Sequence, residues 1–272
     1  MILHVNVAFP TCAAHHHRRR WSPIVKSQRC DLFDFHNELV PYKLAWAWQH
    51  TLVERKKKQI ECGEECHDSL IVLQHHPVYT MGTGSSTKFL KFDPITAPLE
   101  VHRTERGGEV TYHGPGQLVM YPIMNLRNHK KDLHWYLRAL EEVVIRALSA
   151  SFSIKSSQVR GLTGVWDGDR KVAAIGVKVA RWIAYHGVAV NVTTDMSAFN
   201  WIVPCGIMNK RVASVKEILF ESSMKRGFDI SSDSQLLEIA FRSLLHEFCE
   251  VFEVTLSPQI LVEFEDPIVM VK

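Results

Sequence analysis

Apolar residues recur at helical spacing in three stretches of the chain. Leu44, Trp48 and Leu52 follow Pro41, which a first helical turn tolerates, and they predict an amphipathic helix that ends near the lysine run 56–58. A second helix is predicted after Asp132, a candidate N-cap, and a third over about 234–252. The predicted inward positions are Leu133, Leu137, Leu140, Val144 and Leu148 in the second helix, and Leu237, Phe241, Leu244, Phe248 and Val251 in the third.

Shorter apolar runs predict strands. Residues 69–74 form such a run, closed by His75-His76-Pro77, and indicate a buried strand. The runs at 165–166 and 171–175 flank Asp167-Gly168-Asp169-Arg170, a sequence typical of a hairpin, and strand character continues through 177–180 and 183–192. Strands and helices mix without a regular alternation. From residue 31 to residue 272 the sequence therefore predicts one α+β domain with a mixed sheet and flanking helices.

Composition excludes several classes of protein. Of the 272 residues, 46% are hydrophobic and 22% are charged, which is typical of a soluble globular protein. No apolar run reaches about 18 residues, so we expect no membrane span. A net charge of +3 is too small to indicate a nucleic-acid partner. The basic run Arg55–Lys58 is expected to be a solvated helix end.

The six cysteines, at positions 12, 30, 62, 66, 205 and 249, show no disulfide rhythm, which favours a reducing compartment. Cys62 and Cys66 lie four apart in a polar stretch. A zinc site would need further ligands, for which His67 and the pair His75-His76 are the nearest candidates. We expect inert loop thiols and no metal.

The N-terminal segment differs from the rest of the chain. Residues 1–30 contain no Asp or Glu but five basic residues, a composition typical of organelle transit peptides. The segment is short of serine, and a native cytosolic extension is the alternative. We interpret residues 1–30 as an import leader and leave them out of the fold prediction.

One segment, Arg106-Gly-Gly-Glu-Val-Thr-Tyr-His-Gly-Pro-Gly-Gln117, concentrates chemically useful residues between glycines. Paired glycines allow backbone amides to approach a ligand closely. A plain turn between two strands is the alternative. The density of Arg, Glu, Tyr, His and Gln favours a functional loop.

Two further segments carry candidate catalytic groups. Lys171 opens an apolar strand; it is either the solvated strand end or an ammonium in a pocket that stabilises a nearby thiolate. Lys178, seven positions on, falls on the opposite face. Cys205 lies between Pro204 and Gly206 on a turn, where the glycine leaves room for an incoming carbonyl. Inert burial is common for cysteine, but Cys205 alone among the six has surroundings suited to reactivity.

At these segments the chain resembles the lipoyl(octanoyl) transferases, the LipB family. The resemblance rests on the RGGEVTYHGPGQ segment, on KVAAIG at 171–176, on AYHGVAVN at 184–191 and on Pro204-Cys205-Gly206. It extends over about residues 31–254.

The resemblance implies a fold similar to the biotin and lipoate protein ligases. It implies that Cys205 carries the acyl group as a thioester and that Lys171, rather than Lys178, tunes that cysteine and moves protons. It also implies a substrate pocket lined by the loop Arg106, Gly107, Gly108, Glu109, Val110, Thr111, Tyr112 and His113, by Ala174, Ile175 and Gly176, and by a turn of Gly187, Val188 and Ala189.

The implied reaction moves an octanoyl group from octanoyl-acyl carrier protein to a lysine of apo lipoyl domains. These acceptors belong to 2-oxoacid dehydrogenase complexes and to the glycine cleavage H protein. Exchange through a thioester needs no cofactor, ATP or metal. Because the carriers are generally acidic, we expect a basic rim drawn from Arg103, Arg106 and Lys210 or Arg211.

Two alternatives remain at this point. An ATP-using lipoate or biotin protein ligase would share the fold without needing a cysteine. A non-catalytic carrier-protein or metal-binding module would use the 15 histidines. The leader predicts an organelle, with the plastid stroma favoured over the mitochondrial matrix.

Overall fold

The structure is a computed structural model that describes residues 28–206, 210–226 and 232–259. Residues 1–27 of the expected leader lie outside these ranges, and Cys12 lies there too. The leader therefore stays a prediction for residues 1–27, whereas residues 28–30 belong to the first strand of the domain and Cys30 is buried in its core. No helix within the described ranges is long and apolar enough to cross a membrane.

Twelve strands and four α-helices make up the described chain. The helices are α1 (Tyr42–Glu61), α2 (Leu133–Phe152), α3 (Val215–Arg226) and α4 (Asp233–Phe252). The strands are β1 (Gln28–Val40), β2 (Asp68–His75), β3 (Val78–Met81), β4 (Glu100–Arg103), β5 (Val110–His113), β6 (Gln117–Asn125), β7 (Ser157–Val159), β8 (Leu162–Asp167), β9 (Arg170–Ala180), β10 (Ile183–Asn191), β11 (Arg211–Val212) and β12 (Val254–Pro258).

Nine of the strands form one mixed sheet in the order β12-β1-β2-β6-β10-β9-β8-β7, with β11 beside β9. The strand β1 runs parallel to both β12 and β2, whereas β2, β6, β10, β9 and β8 follow one another in antiparallel pairs. A mixed sheet with flanking helices confirms the predicted α+β class.

The two faces of the large sheet bury different helices. Along β6, Leu118 and Met120 point into a core shared with α2 and α4, while Val119, Tyr121 and Ile123 point toward α1. Alternation with period two assigns neighbouring residues to opposite faces. The functional residues described below lie on the α1 side.

A second, three-stranded sheet in the order β4-β3-β5 lies beside the first. Val110 and Tyr112 of β5 pack with Tyr79 and Phe199 in its core. The segment 106–113, predicted as one loop, is therefore a loop only as far as Glu109 and a buried strand beyond it. The alternating β-branched and aromatic residues after Glu109 explain the strand.

Several local predictions are confirmed. Asp132 caps α2, its carboxylate accepting a hydrogen bond from the Trp135 amide at 3.1 Å. The hairpin between β8 and β9 turns at Gly168, whose φ is +61°. Ser232 and Gln235 form a capping box before α4, which begins at Asp233, close to the predicted start.

One prediction in the first half of the chain is wrong in part. The helix α1 ends at Glu61, three residues beyond the lysine run near which its end was predicted, and Arg55 and Lys58 are exposed as expected. Within that run Lys56 is only 4% exposed rather than solvated, and its Nζ donates to Ser69 Oγ at 2.9 Å and to the His67 carbonyl. The long aliphatic stem lets a lysine enter the space between α1 and β2, and a sequence run of charges does not reveal this.

The expected turn Gly187–Ala189 is also wrong, because these residues lie inside β10. The sharp feature is one residue earlier: His186 has φ +58°. Its amide donates to Gln49 Oε1 of α1 at 2.9 Å. A Cβ on Gly187 would lie 2.1 Å from the Met120 carbonyl oxygen, so the strand approaches β6 too closely for any other residue.

Candidate active site

Cys205 occupies a tight turn in a strained conformation. The turn spans Pro204–Gly206, and Cys205 has φ +55° and ψ +18°, a left-handed region that costs a residue with a Cβ about 1 kcal/mol or more. The amide of Gly206 donates to the Val203 carbonyl at 3.0 Å. The side chain is half-buried and forms no disulfide. The turn therefore presents a free thiol.

Lys171 meets that thiol from β9, 34 residues earlier in sequence. Its Nζ lies 3.1 Å from Cys205 Sγ and donates to the Thr163 carbonyl at 3.0 Å. The ammonium also lies 4.8 Å from the centre of the Trp166 ring. Lys171 is 5% exposed, whereas Lys178 is exposed, and a register shift in β9 between them removes the regular alternation on which the expected opposite faces depended.

The structure around Lys171 leaves little room for movement. A Cβ on Gly164, whose φ is +121°, would lie 3.2 Å from Lys171 Cε and 2.6 Å from the Ala173 carbonyl oxygen. The chain that follows Cys205 pairs with β9 through β11, where Val212 is the partner of Lys171. The Ala213 amide donates to the Lys171 carbonyl at 3.0 Å. Both sides of the thiol–amine pair are thus attached to one strand.

The pair borders a cavity of about 240 Å³ between the large sheet, α1 and the small sheet. This volume suits a small ligand or a slender chain, since pockets for larger ligands measure about 300–1,000 Å³. Most of the predicted site residues line it. They are Arg106, Gly108, Glu109, Thr111, His113, Lys171, Ala174, Ile175, Gly176, Gly187, Val188, Ala189 and Cys205.

Three predicted pocket residues do not line the cavity. Val110 and Tyr112 alternate with Thr111 and His113 along β5, so their side chains enter the core of the small sheet instead. The Gly107 amide donates to the Val177 carbonyl at 2.9 Å, which fastens the loop to β9. These residues support the cavity wall from behind.

Arg106 is a structural centre of its loop and not part of a basic rim, which corrects the expectation from sequence. It is 8% exposed. Its Nη2 donates to the carbonyls of Thr80 at 2.7 Å and Glu109 at 2.9 Å, and Nη1 donates to that of Gly107 at 3.0 Å. Burial lowers its pKa from the ordinary value. The guanidinium shapes the loop that covers the cavity.

Sequence reasoning missed a second cluster, around Glu105, which reaches the cavity wall only through His186. The carboxylate Oε1 lies 3.1 Å from Trp46 Nε1, 2.8 Å from His50 Nε2 and 3.3 Å from His186 Nε2. Burial opposes ionisation of Glu105, but its contacts with His186 and Trp46 outweigh it and lower its pKa to about 2. Burial lowers the pKa of His186, which keeps the imidazole neutral. The left-handed φ of His186 was the feature that sequence did not reveal.

Two tyrosines, also missed, line the cavity away from the thiol. Tyr42 comes from the first turn of α1 and Tyr121 from β6. The apolar pattern counts such residues as core, so only the fold shows that they face a cavity. The remaining lining residues absent from the prediction are Val119, Gly161, Leu162 and Thr163.

The histidines and cysteines predicted as possible metal ligands do not gather in the folded chain. Within the described ranges no group of three or more His, Cys, Asp or Glu side chains is arranged to hold a metal ion. Cys62 is exposed at the end of α1, while Cys66 is buried.

Known proteins match this chain in sequence. A family profile described as the lipoyl protein ligase A/B catalytic domain matches residues 41–229. The chloroplastic octanoyltransferase LIP2p2 of Arabidopsis thaliana is 53% identical over 274 residues, covering 96% of this chain and 97% of that protein. An octanoyltransferase of Nostoc sp. is 55% identical over 183 residues, covering 67% of this chain and 80% of that protein.

Solved structures share the fold at low identity. A putative lipoate protein ligase from T. acidophilum with bound lipoic acid superposes with a TM-score of 0.64 at 15% identity, over 88% of this chain and 91% of that one. Lipoate-protein ligase A bound with ATP gives the same TM-score at 15% identity, over 87% and 91%. The lipoate-ligase-like fold is thereby confirmed. The chain belongs to the lipoyl protein ligase A/B catalytic-domain family and, within it, to the octanoyltransferases of the LipB family, which are acyltransferases.

Proposed function

We propose that this chain takes an octanoyl group from octanoyl-acyl carrier protein, holds it as a thioester on Cys205 and passes it to a lysine of an apo lipoyl domain. The observation that carries the proposal is the 3.1 Å contact between Lys171 Nζ and Cys205 Sγ at the border of the cavity. An amine in contact with a thiol can take its proton and leave a thiolate beside an ammonium. Octanoyl transfer through an enzyme-bound thioester needs such a nucleophile.

In the first half-reaction the Cys205 thiolate attacks the carbonyl carbon of the octanoyl thioester. A new carbon–sulfur bond forms to Sγ, and the bond to the carrier's sulfur breaks. The carrier leaves as a thiolate and takes the proton held by the Lys171 ammonium. One thioester replaces another, so the step needs no energy source.

In the second half-reaction the acceptor lysine attacks the Cys205 thioester as a free amine. The carbon–nitrogen bond forms, the bond to Sγ breaks, and Lys171 takes the proton released by the new amide. The thiolate and ammonium are then restored. Because an amide is more stable than a thioester, this step drives the exchange forward without ATP or a metal.

The cavity suits the apolar part of the substrate. Backbone of β9 and β10 around Gly176 and Gly187 forms one wall, with the small side chains of Ala174 and Ala189 beside it. Full burial of six methylenes would contribute roughly 5 kcal/mol. We assign Cys205 and Lys171 as catalytic residues and the cavity-lining residues of the loop, β9 and β10 as the acyl-binding site.

The acceptors in this proposal are the lipoyl domains of 2-oxoacid dehydrogenase complexes and the glycine cleavage H protein. The names of the octanoyltransferase relatives support transfer for lipoylation. Arg103, Lys210 and Arg211 remain the candidates for contacting an acidic carrier, since all three have solvent-accessible side chains.

We place the protein in the plastid stroma. Residues 1–30 lack acidic side chains and contain five basic ones, and the Arabidopsis relative is named chloroplastic. A fusion of residues 1–30 to a fluorescent protein should accumulate in plastids. Accumulation in mitochondria or the cytosol would reject this assignment.

The decisive test mixes the purified protein with octanoyl-acyl carrier protein and follows its intact mass. We expect one octanoyl adduct that hydroxylamine removes, and transfer to an apo lipoyl domain in the absence of ATP. A requirement for ATP and free octanoate would instead support a ligase, the alternative that shares the fold. The absence of an adduct on the wild-type protein would overturn the thioester mechanism.

A further inference from the structure

The cavity has a far wall that faces the thiol across the large sheet. Lys171 lies on β9 and Tyr121 on β6, with β10 between them. Neighbouring strands lie about 4.8 Å apart, so the two positions are about 10 Å apart across the sheet, and the register places them about five residues, or roughly 16 Å, apart along the strands. An eight-carbon chain with single bonds of about 1.5 Å spans roughly 9 Å in its extended zigzag. Because Lys171 and Tyr121 both line the cavity, their side chains occupy part of this separation, and a chain of that length lies between the thiol and the tyrosines.

Two tyrosine rings make this wall, and both are held in place. Tyr42 and Tyr121 are each 4% exposed. The Tyr121 hydroxyl lies 2.7 Å from His75 Nε2, and His75 Nδ1 lies 2.8 Å from the Val40 carbonyl. A carbonyl can only accept, so Nδ1 donates to it, and Nε2 accepts a hydrogen bond from the tyrosine hydroxyl. His75 is thus a positioning residue for the Tyr121 ring.

Although the wall is built of polar residue types, the polar atoms of Tyr121 and of the neighbouring His113 are engaged within the protein. The Tyr121 hydroxyl donates to His75, and His113 Nδ1 lies 2.7 Å from Gln117 Oε1. Burial lowers the pKa of His75 to about 4 and that of His113 well below its ordinary value, so both rings are neutral. Tyr121 therefore presents ring carbon rather than a free donor to a ligand.

The Tyr42 ring has little freedom to yield to a longer ligand. Its centre lies 5.2 Å from that of His75, 5.5 Å from that of His102 and 6.0 Å from that of His113. Rings packed in this way resist displacement, since protein interiors are close-packed. A ligand longer than the cavity would have to move several rings together.

We propose that the Tyr42–Tyr121 wall sets the acyl chain length that this enzyme accepts. The proposal rests on the proposed function, because it assumes that the acyl chain starts at Cys205. A chain of eight carbons reaches the wall with its terminal methyl group. Longer chains collide with the rings, and each methylene that is missing loses about fourfold in binding.

The test compares acyl-enzyme formation from hexanoyl, octanoyl, decanoyl and dodecanoyl thioesters of acyl carrier protein. Tyr42→Leu opens space at the wall, so kcat/KM for decanoyl relative to octanoyl should rise by about tenfold. Ala189→Leu fills the cavity opposite Val119, its partner in the β10–β6 register, so preference should move toward hexanoyl.

Tyr136→Leu is the matched control. This tyrosine is fully buried on α2, on the other face of the sheet, so the same truncation there destabilises the protein without reaching the cavity. Tyr136→Leu should rank the acyl chain lengths by kcat/KM in the same order as wild type. An equal change of this order in the control would mean that reduced stability of the protein, and not the wall, changes the preferred chain length.

Other outcomes separate the two proposals. If wild type accepts octanoyl and neither Tyr42→Leu nor Ala189→Leu changes the ranking, the wall proposal is wrong while the proposed function stands. If wild type forms no acyl-enzyme with any chain length, the proposed function fails and the wall proposal falls with it. If one of the two cavity variants does not fold, the ranking measured on the other still decides the wall proposal.

Discussion

Two buried lysines, Lys171 and Lys56, each have cysteine thiols as neighbours, yet only one has the geometry of a catalytic group. Lys171 is 5% exposed and Lys56 is 4% exposed. Lys171 contacts the Cys205 thiol at 3.1 Å beside a cavity. Lys56 instead donates to Ser69 and to the His67 carbonyl, and the nearby thiols of Cys30 and Cys66 are buried.

The electrostatics around Lys56 oppose reactivity of the nearby thiols. Burial raises the pKa of the Cys30 thiol well above its ordinary value, and the Asp68 carboxylate raises it further, despite the opposing effect of Lys56. Burial also lowers the pKa of Lys56, against the attraction of Asp68. A lysine near a thiol is thus not enough to make the thiol a nucleophile. Direct contact and an opening to substrate distinguish the region around Lys171 and Cys205.

The largest expected difference comes from deleting each thiol. Cys205→Ala should reduce transfer and acyl-enzyme formation to background, because no other described thiol combines access with a lysine contact. Cys30→Ala should retain both activities in the folded fraction. Intact mass after incubation with octanoyl-acyl carrier protein measures acyl-enzyme formation in both variants. An octanoyl adduct on Cys205→Ala would show that Cys205 is not the acylated thiol.

Deleting each lysine should separate catalysis from stability. Lys171→Ala should slow acylation by about 10²–10⁴-fold, as for loss of a general acid–base group, and the remaining activity should need more alkaline solution than wild type. Single-turnover acylation across pH measures this. A pH profile identical to that of wild type would remove Lys171 from the mechanism.

Lys56→Met should have the opposite effect, lowering stability without slowing acylation. Removing the ammonium leaves the Ser69 hydroxyl and the His67 carbonyl without their donor, which should lower the free energy of unfolding by about 1–3 kcal/mol. Acylation per folded molecule should stay at the wild-type rate. Denaturant titration and active-site titration on the same sample provide the two readouts; loss of acylation without loss of stability would contradict this prediction.

The smallest expected effect is the alkaline stability linked to Cys30. Its pKa is raised in the folded protein, so folding is favoured below the unfolded thiol's value of 9.0, and this contribution is lost as pH rises above it. Wild type should therefore lose about 1 kcal/mol more than Cys30→Ala between about pH 8 and about pH 10. Equal losses in urea titrations of the two proteins would show that the thiol is not isolated from solvent.

Sequence patterns predicted the parts of this molecule that local chemistry determines. The Asp132 cap, the Gly168 hairpin and the buried β2 follow from rules that operate over a few residues. The chemical segments around Arg106, Lys171 and Cys205 were identified because unusual residue types are concentrated there.

What sequence could not predict depends on packing between distant segments. Lys56 is buried because α1 lies against β2, and Tyr42 faces the cavity because α1 starts beside β6. His186 departs from the extended strand conformation because its φ is positive. Its amide donates to Gln49, a residue far away in sequence. Such placements depend on contacts between segments distant in sequence, so no local sequence pattern predicts them.

The pairing of β1 with β12 has a consequence for how the molecule is made. Gln28 and Val254 are register partners, so the first and last described strands are neighbours, and most of the chain separates them. Until β12 itself has left the ribosome it cannot pair, and the edge of β1 stays open to unwanted partners. A contact of such long sequence separation forms slowly. Synthesis therefore passes through an interval in which chaperone protection of that edge matters most.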